Sequence, residues 1–329
     1  MGLNPVEKNL IELIKERSKT PDGIPGLGIG DDAAFLLLSS MEESKLIVST
    51  DSVVENVHYK INWCSYCDVA VKLVERSSSD LLAKGGHPHW ALLNMNISEK
   101  FSKDTVAFTQ FVDAFCEKLK EHKITLIGGD ITRSATNTFT MTVLGNTSTF
   151  VRRKNDEVEA GDAVVLWGRV GGSSYALDEF LNSHNPSDDT ASFYRRPLAC
   201  WKNNWLTELH VRASMDQSDS VMETLDTLAN ENSIHLKIQL DLIPLSMKVP
   251  FINKNEIVKN ILKAAEDLAV FAIVPSHEIK NINRFSEICI IGEVLEKIDP
   301  QQKSGRISYF WKNDTIEVDE IEKDLYRHF

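Results

Sequence analysis

The order of apolar runs predicts a mixed-sheet α/β or α+β protein in two domains, and three observations carry that prediction. Short runs of strand length interleave with stretches of helical periodicity, without the strict alternation of a purely parallel sheet. A length of 329 residues, set against ~150 residues per domain, points to two domains. Apolar residues at 42% and charged residues at 26% describe an ordinary globular chain, long enough to bury a sizeable core.

Residues 5–19 open the chain as an amphipathic helix, with Leu10, Ile11, Leu13 and Ile14 at helical spacing. The Gly- and Pro-rich stretch 20–30 breaks it. Apolar runs at 33–38, 46–48, 91–97, 124–127 and 139–144 read as strands, and 68–82 and 104–120 as helices. The chain then turns polar over 152–162, which places a boundary near residue 150 and gives domains 1–150 and 151–329. In the second domain 163–167, 236–240, 270–274 and 288–291 read as strands, and 175–181, 220–230 and 256–265 as helices. Beyond Pro300 the pattern fits one last strand and a polar terminus.

The formal charge of −12 disfavours general binding to nucleic acid or to anionic lipid. No apolar run approaches the ~18 residues of a membrane span. The start, Met1-Gly2-Leu3-Asn4-Pro5-Val6, lacks the basic and apolar regions of a signal peptide, and Val6 stands where a myristoylation site has Ser or Thr. Five cysteines, an odd number, argue against a disulfide scaffold. The expectation is a cytoplasmic enzyme or binding protein. A nucleotide polyphosphate held by so acidic a chain must be met through divalent cations, because direct contact sets like charges together.

Several Asp residues stand at the ends of apolar runs beside Gly, Ser or Thr: Gly30-Asp31-Asp32, Ser49-Thr50-Asp51-Ser52, Ser77-Ser78-Ser79-Asp80, Gly128-Gly129-Asp130 and Met215-Asp216-Gln217-Ser218-Asp219. Carboxylates at strand ends can project into a crevice and hold Mg²⁺, while adjacent glycines let backbone N–H groups approach phosphate. Asp, Gly and Ser also simply mark turns; the recurrence of the pattern favours a shared metal–phosphate site. Competing motifs are weak. There is no P-loop and no Ser nucleophile elbow, and Gly26-Leu27-Gly28-Ile29-Gly30 lacks the dinucleotide-binding spacing. Cys64-Ser65-Tyr66-Cys67 has no second ligand pair, and His87-Pro88-His89 reads as a surface loop before it reads as a metal site.

Taken in order, Gly28-Ile29-Gly30-Asp31-Asp32-Ala33-Ala34, Ser49-Thr50-Asp51 with His58, Ser79-Asp80-Leu81 and Leu126-Ile127-Gly128-Gly129-Asp130 resemble the thiamine-monophosphate kinase family. The likeness runs on through Ala160-Gly161-Asp162, Arg196-Pro197, Asp216-Gln217-Ser218-Asp219, Glu266-Asp267 and the terminal Tyr326-Arg327-His328-Phe329. That family belongs to the aminoimidazole-ribonucleotide-synthetase-like superfamily of ATP-using enzymes. The resemblance implies an N-terminal mixed-sheet domain that binds ATP and metal and dimerises, and a C-terminal α/β domain that completes the active site. It implies Mg²⁺-dependent phosphoryl transfer from ATP to thiamine monophosphate in a homodimer. By position Asp32, Ser49, Thr50, Asp51, Asp80, Asp130, Asp216 and Asp219 match metal ligands, with several Mg²⁺ ions expected. Gly129, Asp130, Ser218 and either Arg152 or Arg153 match ATP contacts; His58, Glu266 and Tyr326 match contacts to the thiamine phosphate.

The pattern departs from the family at several places. Ser77 stands for Asn, Gly171-Gly172 for Gly-Asp, Ser220 for Gly, Ala264-Ala265-Glu266-Asp267-Leu268-Ala269 for Gly-Gly-Glu-Asp-Tyr-Glu, and Leu325-Tyr326 for Gly-Trp. Most of these fall on the thiamine side and on the second domain's loops. Two alternatives therefore stay open beside the kinase: another ATP-dependent enzyme of the superfamily, and a non-catalytic nucleotide-binding protein.

Overall fold

The computed structural model describes residues 5–17, 45–182, 184–246, 253–299 and 305–318. The run at 33–38, Asp32, and Tyr326 with the rest of the C-terminal motif lie outside them. The chain forms two compact units, one of residues 1–81 and 86–148, the other of 82–85 and 149–329.

In the first unit helix α1 (Pro5–Arg17) buries Leu10 and Ile14. There follow β1 (Lys45–Val54), α2 (Tyr66–Ala83), β2 (His87–Ile97), the short α3 (Glu99–Lys103), α4 (Thr105–Glu121), β3 (Thr125–Arg133) and β4 (Thr138–Thr147). The strands form one sheet in the order β1-β4-β2-β3, antiparallel except for β2 with β3, which α3 and α4 connect. The period of two along each strand separates the faces. Val53, Leu93, Met95, Phe139 and Met141 are buried on one, where the Phe139 ring stacks 4.1 Å from Phe111 of α4. On the other face Leu46 is 47% and Val48 61% exposed. Helices α2 and α4 are joined by the buried carboxylate of Glu75, 2.7 Å from Lys118 Nζ.

The second unit contains β5 (Ala163–Trp167), α5 (Gly172–Leu181), α6 (Asp188–Arg195), α7 (Trp205–Glu208), β6 (Ala213–Asp216), α8 (Val221–Asn232), β7 (Ile234–Gln239), α9 (Lys254–Lys263), β8 (Val270–Val274), α10 (Ile279–Ile282), β9 (Ile288–Lys297), β10 (Arg306–Trp311) and β11 (Asp314–Ile316). Its seven-stranded sheet runs β11-β10-β7-β9-β5-β8-β6, with only β10 and β7 parallel. Both faces are covered, which explains the unbroken apolar runs of β5 and β8. Val164, Leu166, Phe271 and Ile273 enter one core with α8 and α9, while Ala163, Val165, Val270, Ala272 and Val274 enter another with Trp205 and Leu206 of α7.

Among the strands that extend past their apolar runs, β1 carries Ser49, Thr50 and Asp51 within it, and β3 reaches Asp130 and Arg133. The segment His87-Pro88-His89, expected as a loop, begins β2, and His89 Nε2 lies 2.8 Å from Asn146 Oδ1 of β4.

Candidate active site

In the first unit β1 and α2 bring three predicted residues together. Strand alternation puts Ser49 and Asp51 on the face covered by helices, and Asp80 comes to them from α2. Ser49 Oγ donates to Asp80 Oδ2 at 2.5 Å, Arg76 Nε to Asp51 Oδ2 at 2.8 Å, and the Ser52 N–H to Asp51 Oδ1 at 3.0 Å. Burial pushes the Asp51 carboxyl up; the Arg76 guanidinium pulls it back and the Asp80 charge adds to the rise. Arg76 is a residue that motif reading missed: it lies one helical turn before Asp80, and nothing in the sequence ties it to Asp51.

The same alternation sends Thr50 to the opposite face, where its Oγ1 lies 3.0 Å from Thr142 Oγ1. Asp130 is on that opposite face too. It pairs in register with Asn94, Asn94 with Thr140, and Thr140 with Ser52, whereas Asp51 shares a row with Met141, Leu93 and Gly129. Asp130 Oδ2 accepts from Thr132 Oγ1 at 2.8 Å. Neither the Thr50 nor the Asp130 side chain therefore joins the Asp51–Asp80 pair within this unit. Gly129 has a structural reason of its own. At φ +153° its backbone packs so close to β2 that a Cβ would stand 1.8 Å from the Leu93 carbonyl oxygen.

His58 follows β1 in a turn, its N–H donating to the Val54 carbonyl at 2.8 Å. The Val54 N–H donates to His58 Nδ1 at 3.1 Å, so the neutral ring carries its proton on Nε2. Lys72 of α2 donates to the His58 carbonyl at 3.2 Å. The Cys64 thiol is buried, and Cys67 Sγ donates to the Gln110 carbonyl at 3.5 Å.

In the second unit the predicted residues sit on two loops that one side chain stitches together. Asp216 ends β6 and is buried, Asp219 is exposed, and Ser220 caps α8. Gln217, fully buried, donates through Nε2 to the Asp219 and Ala264 carbonyls, both at 2.7 Å, and accepts the Asp267 N–H on Oε1 at 3.1 Å. The Glu266 N–H donates to the Ser218 carbonyl at 3.2 Å, which sets a predicted substrate contact beside a predicted ATP contact. Glu266 and Leu268 both adopt left-handed backbone, φ 56°, a conformation costly for non-glycine residues. Asp267 accepts the N–H of Gly171 at 2.8 Å and of Ser173 at 3.0 Å, capping α5 from across the loop. Burial raises its carboxyl to about 7, against the pull of those N–H groups and with the Glu266 charge adding to the rise.

The departures from the family pattern find local reasons here. Ser220 completes a capping box with Glu223, its Oγ accepting the Glu223 N–H at 3.1 Å. A Cβ at Gly172 would meet the Phe193 ring at 2.7 Å, so Asp does not fit there. Leu268 packs among Leu82, Ala199 and Trp201, and Ala269 is buried in the core. Arg153 is committed to Glu231 at 2.6 Å, whereas the exposed Arg152 accepts the Ser214 N–H on its carbonyl at 3.1 Å, two residues before Asp216.

Among the described residues no group of three or more His, Cys, Asp or Glu side chains forms a ready metal cage. Mg²⁺ does not require one, since it takes one or two carboxylates and completes its shell with phosphate and water. Asp51 and Asp80 with the Ser49 hydroxyl make an all-oxygen donor set of that kind.

The chain is similar to known proteins in sequence and in fold. Residues 30–147 match the family model of the AIR synthase related protein, N-terminal domain. The thiamine-monophosphate kinase of Leptospira interrogans is 31% identical over 242 residues, 71% of this chain and 76% of its own length. That of Aquifex aeolicus is 30% identical over 301 residues, 88% of this chain and 92% of its own. The solved structure of AaThiL complexed with AMPPCP and TMP superposes with a TM-score of 0.70 at 25% identity, covering 96% of this chain and 97% of that one.

Proposed function

The chain belongs to the thiamine-monophosphate kinase family, and from that premise we propose that it transfers the terminal phosphoryl group of ATP to thiamine monophosphate, giving ADP and thiamine diphosphate. The observation that carries the proposal is identity of 30% spread along 92% of the Aquifex aeolicus kinase. The acceptor is already a phosphate oxyanion, so the chain needs no side chain to deprotonate it. What remains is alignment and neutralisation of charge.

Asp51, Asp80 and the Ser49 hydroxyl are the first unit's residues suited to holding Mg²⁺, and Asp216 and Asp219 those of the second; Asp32, Thr50 and Asp130 complete the proposed set. Bound there, the cations would supply Lewis-acid neutralisation of the polyphosphate. Gly129, Asp130, Ser218 and Arg152 are assigned to ATP, with Arg152 favoured over Arg153 because Arg153 is already paired with Glu231. His58, whose ring is oriented by the Val54 N–H on Nδ1, is assigned to the acceptor phosphate. Glu266 and Tyr326 are assigned to the thiamine moiety. The first unit then serves ATP, metal and dimerisation, and the second adds residues for the same reaction. A homodimer is supported by β1 and β3, the edge strands of the first unit's sheet among the described residues, and by the exposed Leu46 and Val48. No helix among the described residues is long and apolar enough to cross a membrane; the assignment to the cytoplasm rests on the sequence reading.

A coupled ADP assay tests the function. ADP should appear with ATP, Mg²⁺ and thiamine monophosphate together, and stop when either Mg²⁺ or the acceptor is left out. Buried Leu268 and Ala269, where the family has Tyr-Glu, favour one second reading, a different acceptor. ATP-dependent turnover with another phosphorylated heterocycle but not with thiamine monophosphate would establish it.

A further inference from the structure

We propose that Arg76 is a tethered counter-ion for Asp51: its guanidinium pairs with the carboxylate and competes with a divalent cation for it. The inference rests on the reading of Asp51 as a metal ligand. Arg76 and Asp80 are four residues apart in α2 and share a helix face, and the Asp51 side chain of β1 meets that face. Both Asp51 oxygens are engaged, Oδ2 by Arg76 Nε at 2.8 Å and Oδ1 by the Ser52 N–H at 3.0 Å. With the Arg76 side chain 11% exposed and that of Asp51 25% exposed, solvent and salt screen the pair weakly. The guanidinium stays charged at any accessible pH, so it leaves the carboxylate by rotating away, never by losing a proton.

The tether is short and well held. Helix α2 is pinned in the turn before Arg76, by Lys72 donating to the His58 carbonyl and by Glu75 paired with Lys118. The guanidinium therefore stands at high effective concentration beside the carboxylate. A divalent ion arriving at Asp51 must displace it and then share the neighbourhood with a like charge. Until then Arg76 offsets part of the repulsion that the Asp80 charge exerts on Asp51. The residue thus positions the carboxylates and weakens their hold on metal at once.

Calorimetric titration of the nucleotide-free protein with Mg²⁺ alone tests this. Arg76→Gln should bind Mg²⁺ about tenfold more tightly than the parent while melting at a lower temperature without metal. Arg76→Lys, which keeps the charge, should stay within about threefold of the parent. Adding Asp51→Asn to Arg76→Gln should erase the gain. Arg76→Met, neutral and similar in length, repeats the measurement if the Gln variant does not fold. Equal or weaker Mg²⁺ binding by a folded neutral variant overturns the proposal. A parent protein whose weak Mg²⁺ binding is unaffected by Asp51→Asn overturns instead the assignment of Asp51 as a ligand.

Discussion

Asp51 and Asp130 sit on opposite faces of one sheet, yet both are assigned to the metal and nucleotide, so their substitution separates two contributions. Asn keeps the shape of either side chain and removes the charge that holds a cation. Asp51→Asn should lower turnover by on the order of 10²-fold or more with circular dichroism unchanged, and Asp130→Asn should do the same. Near-parental turnover by a folded Asp51→Asn would remove the Asp51–Asp80 pair from the reaction. At this scale the residues were readable from the sequence as types and positions, because Asp beside Ser or Gly at strand ends is visible in one dimension. Their facing was not. Ser49, Thr50 and Asp51 read as one motif, but the two-residue period of the strand sends Thr50 away from its neighbours. The extent of β1 that decides this lies beyond its apolar run, in polar residues that carry no strand signal.

The loops at 216–219 and 264–269 depend on one another through Gln217. Gln217→Leu would leave the Asp267 N–H and the Asp219 and Ala264 carbonyls without that partner. A loss of about 3 kcal/mol is expected, a fall of roughly 6–12 °C in the melting of the second unit; a change under about 0.5 kcal/mol would show that the loops hold without it. Asp267 adds a pH dependence. Its carboxyl is raised from 3.8 to about 7, so between those values the folded chain binds more protons than the unfolded one. The stability contributed by that proton is full below the unfolded value and is lost as pH rises through about 7, at a slope of up to ~1.4 kcal/mol per pH unit. Thermal melts should show this decline, and Asp267→Asn should flatten it; an unchanged slope in the variant would assign the decline to other groups. The long periodic run of α4 and the unbroken apolar runs of β5 and β8 were legible within a residue or two. Helix α6 was not, since it buries only Ala191 and Tyr194 among polar residues and relies on Ser187 as its cap. Strand β6 spans four residues, Ala-Ser-Met-Asp, too few to register a period.

For the whole molecule, among the described residues, the sheet of the first unit has β1 and β3 as edges and leaves Leu46 and Val48 exposed. Sedimentation velocity at micromolar concentration should therefore give twice the chain mass of 37.0 kDa; a single species of one chain would contradict the dimer. The fold class was legible from interleaved runs, while the strand orders β1-β4-β2-β3 and β11-β10-β7-β9-β5-β8-β6 were not. Pairing between distant strands is set by packing of both sheet faces, which leaves no mark on any one segment. The claim that joins all three scales is phosphoryl transfer to a phosphate acceptor, and phosphorus NMR of the complete reaction tests it most directly. With ATP, Mg²⁺ and thiamine monophosphate, ADP and thiamine diphosphate should grow in together in equal amounts as the monophosphate signal falls. ADP accompanied by inorganic phosphate, with the thiamine monophosphate resonance unchanged, would contradict it.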